Sequence, residues 1–400
     1  MKSFYLSFLF CIFFIVANAQ VDTAKFRALA VEIQKKLAPD KRDIYMNFQI
    51  KGDSIKLESS DQKVLQAFEV AMPKEQSVKF VSTLLPVLTS NGLNYGVANI
   101  SVANNRSNPQ HGSELMTQML LGTPVQVLKR QGGFYLVKTP DNYLAWTDGG
   151  ALKLMNEQTF KNWQTSEKVV FVADYGHALI KADEKSTRVS DLVNGNVLQL
   201  LGQEKGFYKV EFPDQRIGFV RKDLVTPYLG WIKRPNPDGA AVLSKAYELI
   251  GVPYLWGGTS IKGVDCSGFT KTAFFLNGII IPRDASQQAL VGEAIDVMEK
   301  DTVSIEKCLK NLKAGDLMFF SAAKRRGVNG GRVSHTAIYI GNGEFIQSAG
   351  MVKVSSIIDS ASNYDGGQTV TLVGARRILT EIGTPQITRI DQHDWYVKKD

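Results

Sequence analysis

Two residues far apart in the chain are of types that can do nucleophilic chemistry together, Cys266 and His335. Cys266 stands in Gly263-Val264-Asp265-Cys266-Ser267-Gly268-Phe269, after the glycine-rich text Pro253-Tyr254-Leu255-Trp256-Gly257-Gly258-Thr259-Ser260. Asp265 is a good helix N-cap, and Phe269, Ala273 and Leu276 recur at helical spacing. Cys266 is therefore expected in the first turn of a helix. There unpaired N–H groups and the helix dipole would lower its pKa and favour a thiolate, the nucleophile of acyl transfer. The plainer reading of a free cysteine is a small buried apolar residue. The glycines argue for chemistry, because they let backbone or substrate approach closely.

A thiolate needs a base. Of His111, His177, His335 and His393, only His335 falls in a strand pattern of the region that follows Cys266. The pattern Ser334–Ile340 turns at Gly341-Asn342-Gly343 into Glu344–Ser348. A hairpin centred near Gly341 pairs Tyr339 with Gly343, Ala337 with Phe345 and His335 with Gln347. Opposed residues share one sheet face, so Gln347 can hold one ring nitrogen while the other faces the thiol. This is the Cys-His-polar logic of cysteine hydrolases. A strand histidine satisfied by its neighbours is the plain alternative.

These residues need elements to position them. Residues 236–381 read as helix (Ala240 to Ile250), nucleophile helix, then strands from Asp316 onward, an α+β pattern. Residues 382–400 read as a polar tail, and Trp231 with Pro235-Asn236-Pro237-Asp238-Gly239 as a linker. Residues 91–158 and 165–228 look duplicated. Each carries short β-type runs around a shared signal, Gly133-Phe134-Tyr135 in the first and Gly206-Phe207-Tyr208 in the second. That suggests two small barrels of five short strands each. Residues 20–90 read as a small α+β domain: a helix from Ala24 to Leu37, a hairpin turning at Lys51-Gly52-Asp53, and a helix ending before Pro73. Residues 1–19 read as a signal peptide, with Lys2, an apolar run from Phe4 to Val16, and Ala17-Asn18-Ala19 before the cleavage point. No later stretch is apolar enough to span a bilayer.

Residues 240–380 resemble the NlpC-type family of cell-wall cysteine peptidases. The resemblance rests on Tyr254-Leu255-Trp256-Gly257-Gly258, Asp265-Cys266-Ser267-Gly268, Pro282-Arg283-Asp284, Gly315-Asp316-Leu317-Met318-Phe319-Phe320 and Ser334-His335-Thr336-Ala337-Ile338-Tyr339-Ile340-Gly341, in the family's order. It implies a papain-like fold and hydrolysis of peptidoglycan stem peptides, usually between γ-D-glutamate and a diamino acid. It assigns Cys266 as nucleophile and His335 as base, and gives the Tyr254 hydroxyl a part at the oxyanion. The third polar position falls at Gln347, where many members carry His. The barrels resemble bacterial SH3-type domains. With the peptidase they are similar to a narrower group that cleaves short peptides with a free N-terminal L-Ala. That likeness implies amine recognition by Asp265 and Ser267, with Trp256 in the cleft and Glu114 and Trp146 contributed by the first barrel. Helix capping by Asp265, a solvated Glu114 and a barrel-core Trp146 are the plainer roles.

The whole is thus expected to be a multidomain α+β protein, a papain-like cysteine peptidase preceded by two SH3-type β-barrels and a small α+β domain. It is expected in the periplasm or cell envelope, as a monomer acting on wall-derived peptides without a cofactor. Net charge is +8, a weak bias towards anionic surfaces. No basic run with interleaved aromatics suggests nucleic acid, and no cluster has metal-ligand spacing. Cys308 reads as a helix-packing residue, and Arg283 with Asp284 as a structural ion pair. A non-catalytic wall-binding protein and an amidase or acyltransferase on the same fold stay open.

Overall fold

The computed structural model describes residues 23–72, 78–87, 92–300, 302–325 and 331–398; the expected leader, 1–19, lies outside them. The chain divides into two compact units between Leu85 and Pro86. In the first, helices Thr23–Leu37 and Gln62–Ala71 cover strands Met46–Lys51, Ser54–Ser59 and Lys79–Leu84. Phe26, Ile33, Ile55, Leu57, Val64 and Phe68 form its core. The hairpin closes tightly, Lys51 pairing with Ser54. The third strand was not foreseen. It runs parallel to Ser54–Ser59, so a crossover is required, and the Gln62–Ala71 helix supplies it.

The second unit holds two seven-stranded antiparallel sheets where five strands each were expected. Strands Tyr95–Ala98, Val102–Arg106, Leu115–Leu120, Pro124–Gln131, Phe134–Lys138, Leu144–Asp148 and Leu152–Met155 pair in the order seventh, first, fourth, fifth, sixth, second, third. Strands Lys168–Phe171, Tyr175–Leu179, Arg188–Val193, Val197–Glu204, Phe207–Glu211, Ile217–Arg221 and Val225–Pro227 repeat that order. Even the irregularities repeat. The fourth strand is bulged between Val127 and Lys129 in one sheet and between Leu200 and Gly202 in the other. The third strand carries an extra residue opposite the second, Met116 past Asn105 in one sheet and Val189 past Ala178 in the other. A bulge fixes where a strand bends, so the two sheets share one curvature plan. Helix Glu157–Thr165, capped by Asn156, joins them.

The last part of the unit begins with helix Gly239–Tyr247, capped by Asp238, and helix Cys266–Phe275, capped by Asp265. These helices pack on each other. A six-stranded antiparallel sheet follows, ordered Glu293–Ile295, Leu372–Arg377, Leu317–Phe320, His335–Gly341, Glu344–Ala349, Met351–Ser356. Val242, Ala246, Phe269, Ala273 and Phe274 pack against Leu317, Phe319, Ile338 and Ile346. Cys308 packs on the other side of the sheet with Val297, Met318 and Phe345, as expected of a structural cysteine. Both Cys266 and Cys308 are free thiols.

The expected polar tail is a strap. Thr388–Arg389 pairs with Ile279–Ile280 just after helix Cys266–Phe275. Ile390 and Tyr396 are buried with Val170 and Val197 of the second seven-stranded sheet, with Tyr228 just after it, and with Trp231 and Ile232 where a linker was expected. Trp395 packs beside Phe160 and Trp163. The tail reads as polar because its few apolar residues are spaced singly, each meeting a different partner. Ile390→Ala should cost about 2–5 kcal/mol of stability, the usual penalty for emptying a buried aliphatic site. Urea denaturation checks this: the midpoint should fall at constant m, and a loss under ~0.5 kcal/mol would make the tail a loose appendage.

Candidate active site

The glycine-rich segment is a tight approach to the helix. Tyr254 bridges to Val264, and Thr259–Ser260 pairs with Gly263–Val264, which leads straight into Asp265. The Asp265 carboxylate accepts from Gly268 N at 2.6 Å and caps the helix. Gly268 is required by sterics, since a Cβ there would lie 1.9 Å from the Gly258 carbonyl oxygen. Cys266 is thus held in the first helical turn, 7% exposed.

Its thiol does not behave as the helix position alone suggests. Burial first, then the Asp265 carboxylate, pushes the Cys266 thiol up to about 11. Backbone N–H groups of Thr336 and Ser267 and the Arg283 cation pull the other way without prevailing. The lowered pKa expected from the dipole fails because burial penalises the thiolate, and the carboxylate that caps the helix adds to that penalty. The Thr336 contact also shows how the strand meets the thiol, for Thr336 directly follows His335.

His335 is half-buried, with its ring 5.5 Å from that of Phe320. Its Nε2 lies 2.7 Å from Gln347 Oε1. The amide of Gln347 is oriented from behind, because its NH2 donates to Asp365 Oδ2 and Ser355 Oγ, each at 3.0 Å. A carboxylate accepts only, so Gln347 must turn its oxygen to the imidazole. Nε2 therefore carries the hydrogen and Nδ1 is left as the basic nitrogen. Burial holds the His335 pKa below its ordinary value, against the opposing pull of Gln347, Asp365 and Asp265.

The hairpin that brings these residues together differs from the expected one. Ile338 faces Ile346 and Tyr339 faces Phe345, two residues away from the expected register. Asn342 and Gly343, both at positive φ, form the two-residue turn that right-handed strand twist favours, with a bulge before it. A shift of two preserves the face, so His335 and Gln347 meet diagonally rather than directly.

Residues 251–371 match the NlpC/P60 family, and residues 101–153 match the bacterial SH3 domain family. The gamma-D-glutamyl-L-lysine dipeptidyl-peptidase of Bacillus cereus is 30% identical over 67% of this chain and 77% of its own. The chain belongs to the NlpC/P60 family. It is a cysteine peptidase, a hydrolase. Dipeptidyl-peptidase 6 of Lysinibacillus sphaericus is 25% identical, over 68% of this chain and 96% of its own. A crystal structure of an NlpC/P60 family protein from Bacillus cereus superposes with a TM-score of 0.59 at 25% identity, covering 71% of this chain and 99% of that one.

Around the NlpC/P60 site, the expected substrate residues fare unequally. The Asp265 carboxylate is engaged by Arg283, whose NH1 and NH2 donate at 3.1 and 2.7 Å, and by Gly257 N at 2.9 Å. Arg283 NH1 also donates to Ser267 Oγ at 3.0 Å. The buried ion pair thus joins Arg283 to Asp265, while Asp284 stands 3.8 Å away. Asp284 also accepts from the Tyr143 hydroxyl, which lies just before strand Leu144–Asp148 of the first sheet. Trp146 is buried in strand Leu144–Asp148 with the Lys129 ammonium over its ring, so it presents no open face. Glu114 and Trp256 are exposed and bonded to each other across the seam, indole Nε1 to Oε1 at 2.8 Å. Burial, with the neighbouring Cys266 and Asp265, raises the Tyr254 hydroxyl above its ordinary value, so it keeps its proton. Among the described residues, no group of His, Cys, Asp and Glu could hold a metal ion.

Sequence reasoning missed Asp365 and Tyr143. Asp365-Gly366-Gly367-Gln368 carries a capping signal, and Asp365 does cap helix Gly366–Thr369. Nothing local says that its second oxygen reaches Gln347. Arg283→Leu should destabilise the protein by about 3–5 kcal/mol, because Asp265 would stay buried without its counter-charge. Thermal or urea unfolding reads this, and a near-neutral substitution would mean that water reaches the carboxylate.

Proposed function

We propose that the chain hydrolyses the γ-D-glutamyl–diamino acid bond of peptidoglycan stem peptides, preferring short ones with a free N-terminal L-Ala. The observation that carries the mechanism is the fixed imidazole: Asp365 orients Gln347, Gln347 holds Nε2, and Nδ1 is the base. Cys266 gives its Sγ proton to Nδ1 as sulfur attacks the glutamyl γ-carbonyl carbon. The oxyanion is met by the Cys266 N–H and the Tyr254 hydroxyl. The C–N bond breaks as Nδ1–H protonates the departing amine of the diamino acid. Water then gives a proton to Nδ1, attacks the thioester carbon and releases the thiolate, which takes the proton back.

The dipeptidyl-peptidase names of the relatives support the bond. The seam supports the short substrate, because Glu114 bonded to Trp256 and Tyr143 bonded to Asp284 join the first sheet region to the segments around Cys266 and would limit the room there. Since Asp265 is committed to Arg283, the substrate ammonium is assigned to Glu114, with Asp284 adding negative charge at the same seam. A carboxylate lowers the cost of taking an ammonium out of water. Trp256 and Ser267 line the approach. The apolar run from Phe4 to Val16 with Ala17-Asn18-Ala19 supports export to the cell envelope. No helix among the described residues is long and apolar enough to cross a membrane.

Purified protein should release diaminopimelate from L-Ala-γ-D-Glu-diaminopimelate and spare the N-acetylated peptide. Cys266→Ala should be inactive, and Glu114→Gln should raise KM more than it lowers kcat. Equal cleavage of both peptides would remove the amine site. If wild type and Cys266→Ala are equally inert, a wall-binding role becomes the better account.

The pH dependence has a definite sign. A base works when neutral, and burial lowers the His335 pKa from 6.5, so the acid limb of kcat/KM should fall below pH 6.5. Gln347→Ala should lower kcat about 10–100-fold, the loss of one hydrogen bond to a group that becomes charged. An acid limb above pH 7, or a Gln347→Ala enzyme with unchanged kcat, would overturn the assignment.

A further inference from the structure

Arg283 is wholly buried, which obliges its planar guanidinium to find acceptors on every edge. The peptidase satisfies the fork end: NH1 and NH2 grip Asp265, and NH1 also reaches Ser267 Oγ. These are the residues on either side of Cys266. The Nε edge is satisfied from elsewhere, by Thr117 Oγ1 of the first barrel at 2.9 Å. Thr117 is itself fully buried.

The same strand backs the second donor to Asp265 Oδ2. Gly257 N donates to that oxygen, and Gly257 sits at φ +79° against the barrel, where a Cβ would lie 2.5 Å from the Leu115 carbonyl oxygen. Gln118, next in the strand, accepts from Thr259 N at 3.0 Å, and its carbonyl accepts from Thr259 Oγ1 at 3.1 Å. Strand Leu115–Leu120 thus fixes the loop before the nucleophile and the cation beside it in one docked surface.

We propose that Thr117 is a positioning residue of the peptidase: by holding Arg283 Nε it sets the guanidinium plane that clamps Asp265 and Ser267 around Cys266. The first barrel is then part of the charge balance of the catalytic centre as well as a wall of its cleft. Asp265 opposes thiolate formation at Cys266 and Arg283 favours it. An Arg283 that swings away unmasks the carboxylate. The other groups facing this centre are Asp284 and the Tyr143 hydroxyl beside Arg283, the Tyr254 hydroxyl, and His335, the last also facing Asp365. This inference rests on the reading of Cys266 as nucleophile.

The test compares full-length Thr117→Val, which keeps the shape and loses the hydroxyl, with Thr117→Ser, which keeps the hydroxyl. Hydrolysis of L-Ala-γ-D-Glu-diaminopimelate gives kcat and KM, and the pH dependence of iodoacetamide alkylation gives the Cys266 titration against a Cys308→Ala background. Thr117→Val should lower kcat about tenfold, with KM within about twofold, the cost of one lost bond to a charged group. It should also move the alkylation midpoint to higher pH, and Thr117→Ser should restore both. Melting curves show that each variant is folded; Thr117→Ala replaces the valine form if that one does not fold. A folded hydroxyl-free variant with wild-type kcat and thiol titration overturns the proposal, as does a serine variant as impaired as valine. If wild type hydrolyses nothing, the functional reading fails, while the alkylation midpoints still decide whether Thr117 governs the thiol.

Discussion

The Asp265 carboxylate lies where water scarcely reaches and accepts from Gly257 N, Gly268 N and both terminal nitrogens of Arg283. Each bond ties down something different: the incoming loop, the first turn of the nucleophile helix, and the segment that begins at Pro282. A buried charge tolerates no vacant partner, so these parts must arrive together or the carboxylate goes uncompensated. Arginine suits the task better than lysine, because its planar fork meets both oxygens at once and still has Nε to spend. The position of Cys266 is therefore a by-product of satisfying its neighbour. That also explains the glycines at 257, 258 and 268, which leave the room this convergence needs.

The same burial acts on both Cys266 and His335. It penalises the thiolate and the imidazolium alike, raising one pKa and lowering the other. A protected thiol is also slow to oxidise, since oxidation follows thiolate character and exposure. Gln347 fits this balance. Aspartate in its place would draw the pair towards the charged form, whereas the amide orients the ring and leaves the charge to Asp365, one bond further out.

Much of this was legible in the sequence. Asp265-Cys266-Ser267-Gly268 announced a capped helix with Cys266 in its first turn, and period-two alternation put His335 and Gln347 on one face, even though the turn chemistry of Asn342-Gly343 moved the register by two. What stayed hidden depends on partners distant in the chain. Arg283 does stand within ion-pair reach of Asp284, at 3.8 Å, but its tighter partner is Asp265, at 2.7 Å and eighteen residues back in the chain. Asp365 could be read as a cap but not as the anchor of Gln347. The terminal strap escaped notice because Ile387, Ile390 and Tyr396 form no periodic stripe, each filling a separate gap.

The duplicated sheets show how one topology can be put to unequal but coordinated use. In both, the third strand pairs with the second and is itself bulged at the same point, so Gln118 opposite Asn104 corresponds to Asp191 opposite His177. These equivalent residues grip the same peptidase hairpin: Gln118 bonds Thr259 on its first strand, and Asp191 takes the Lys262 ammonium at its turn, at 2.6 Å. Asp191 also accepts from Ser101 of the first sheet, which closes the circuit between the two sheets and the hairpin. The hairpin is the piece of chain that delivers Asp265 and Cys266. A short two-residue ladder could not hold that position by itself. Bracing it at both ends by the same strand of each repeat gives the nucleophile a rigid approach without lengthening the peptidase, and gives the second copy a structural reason to be there.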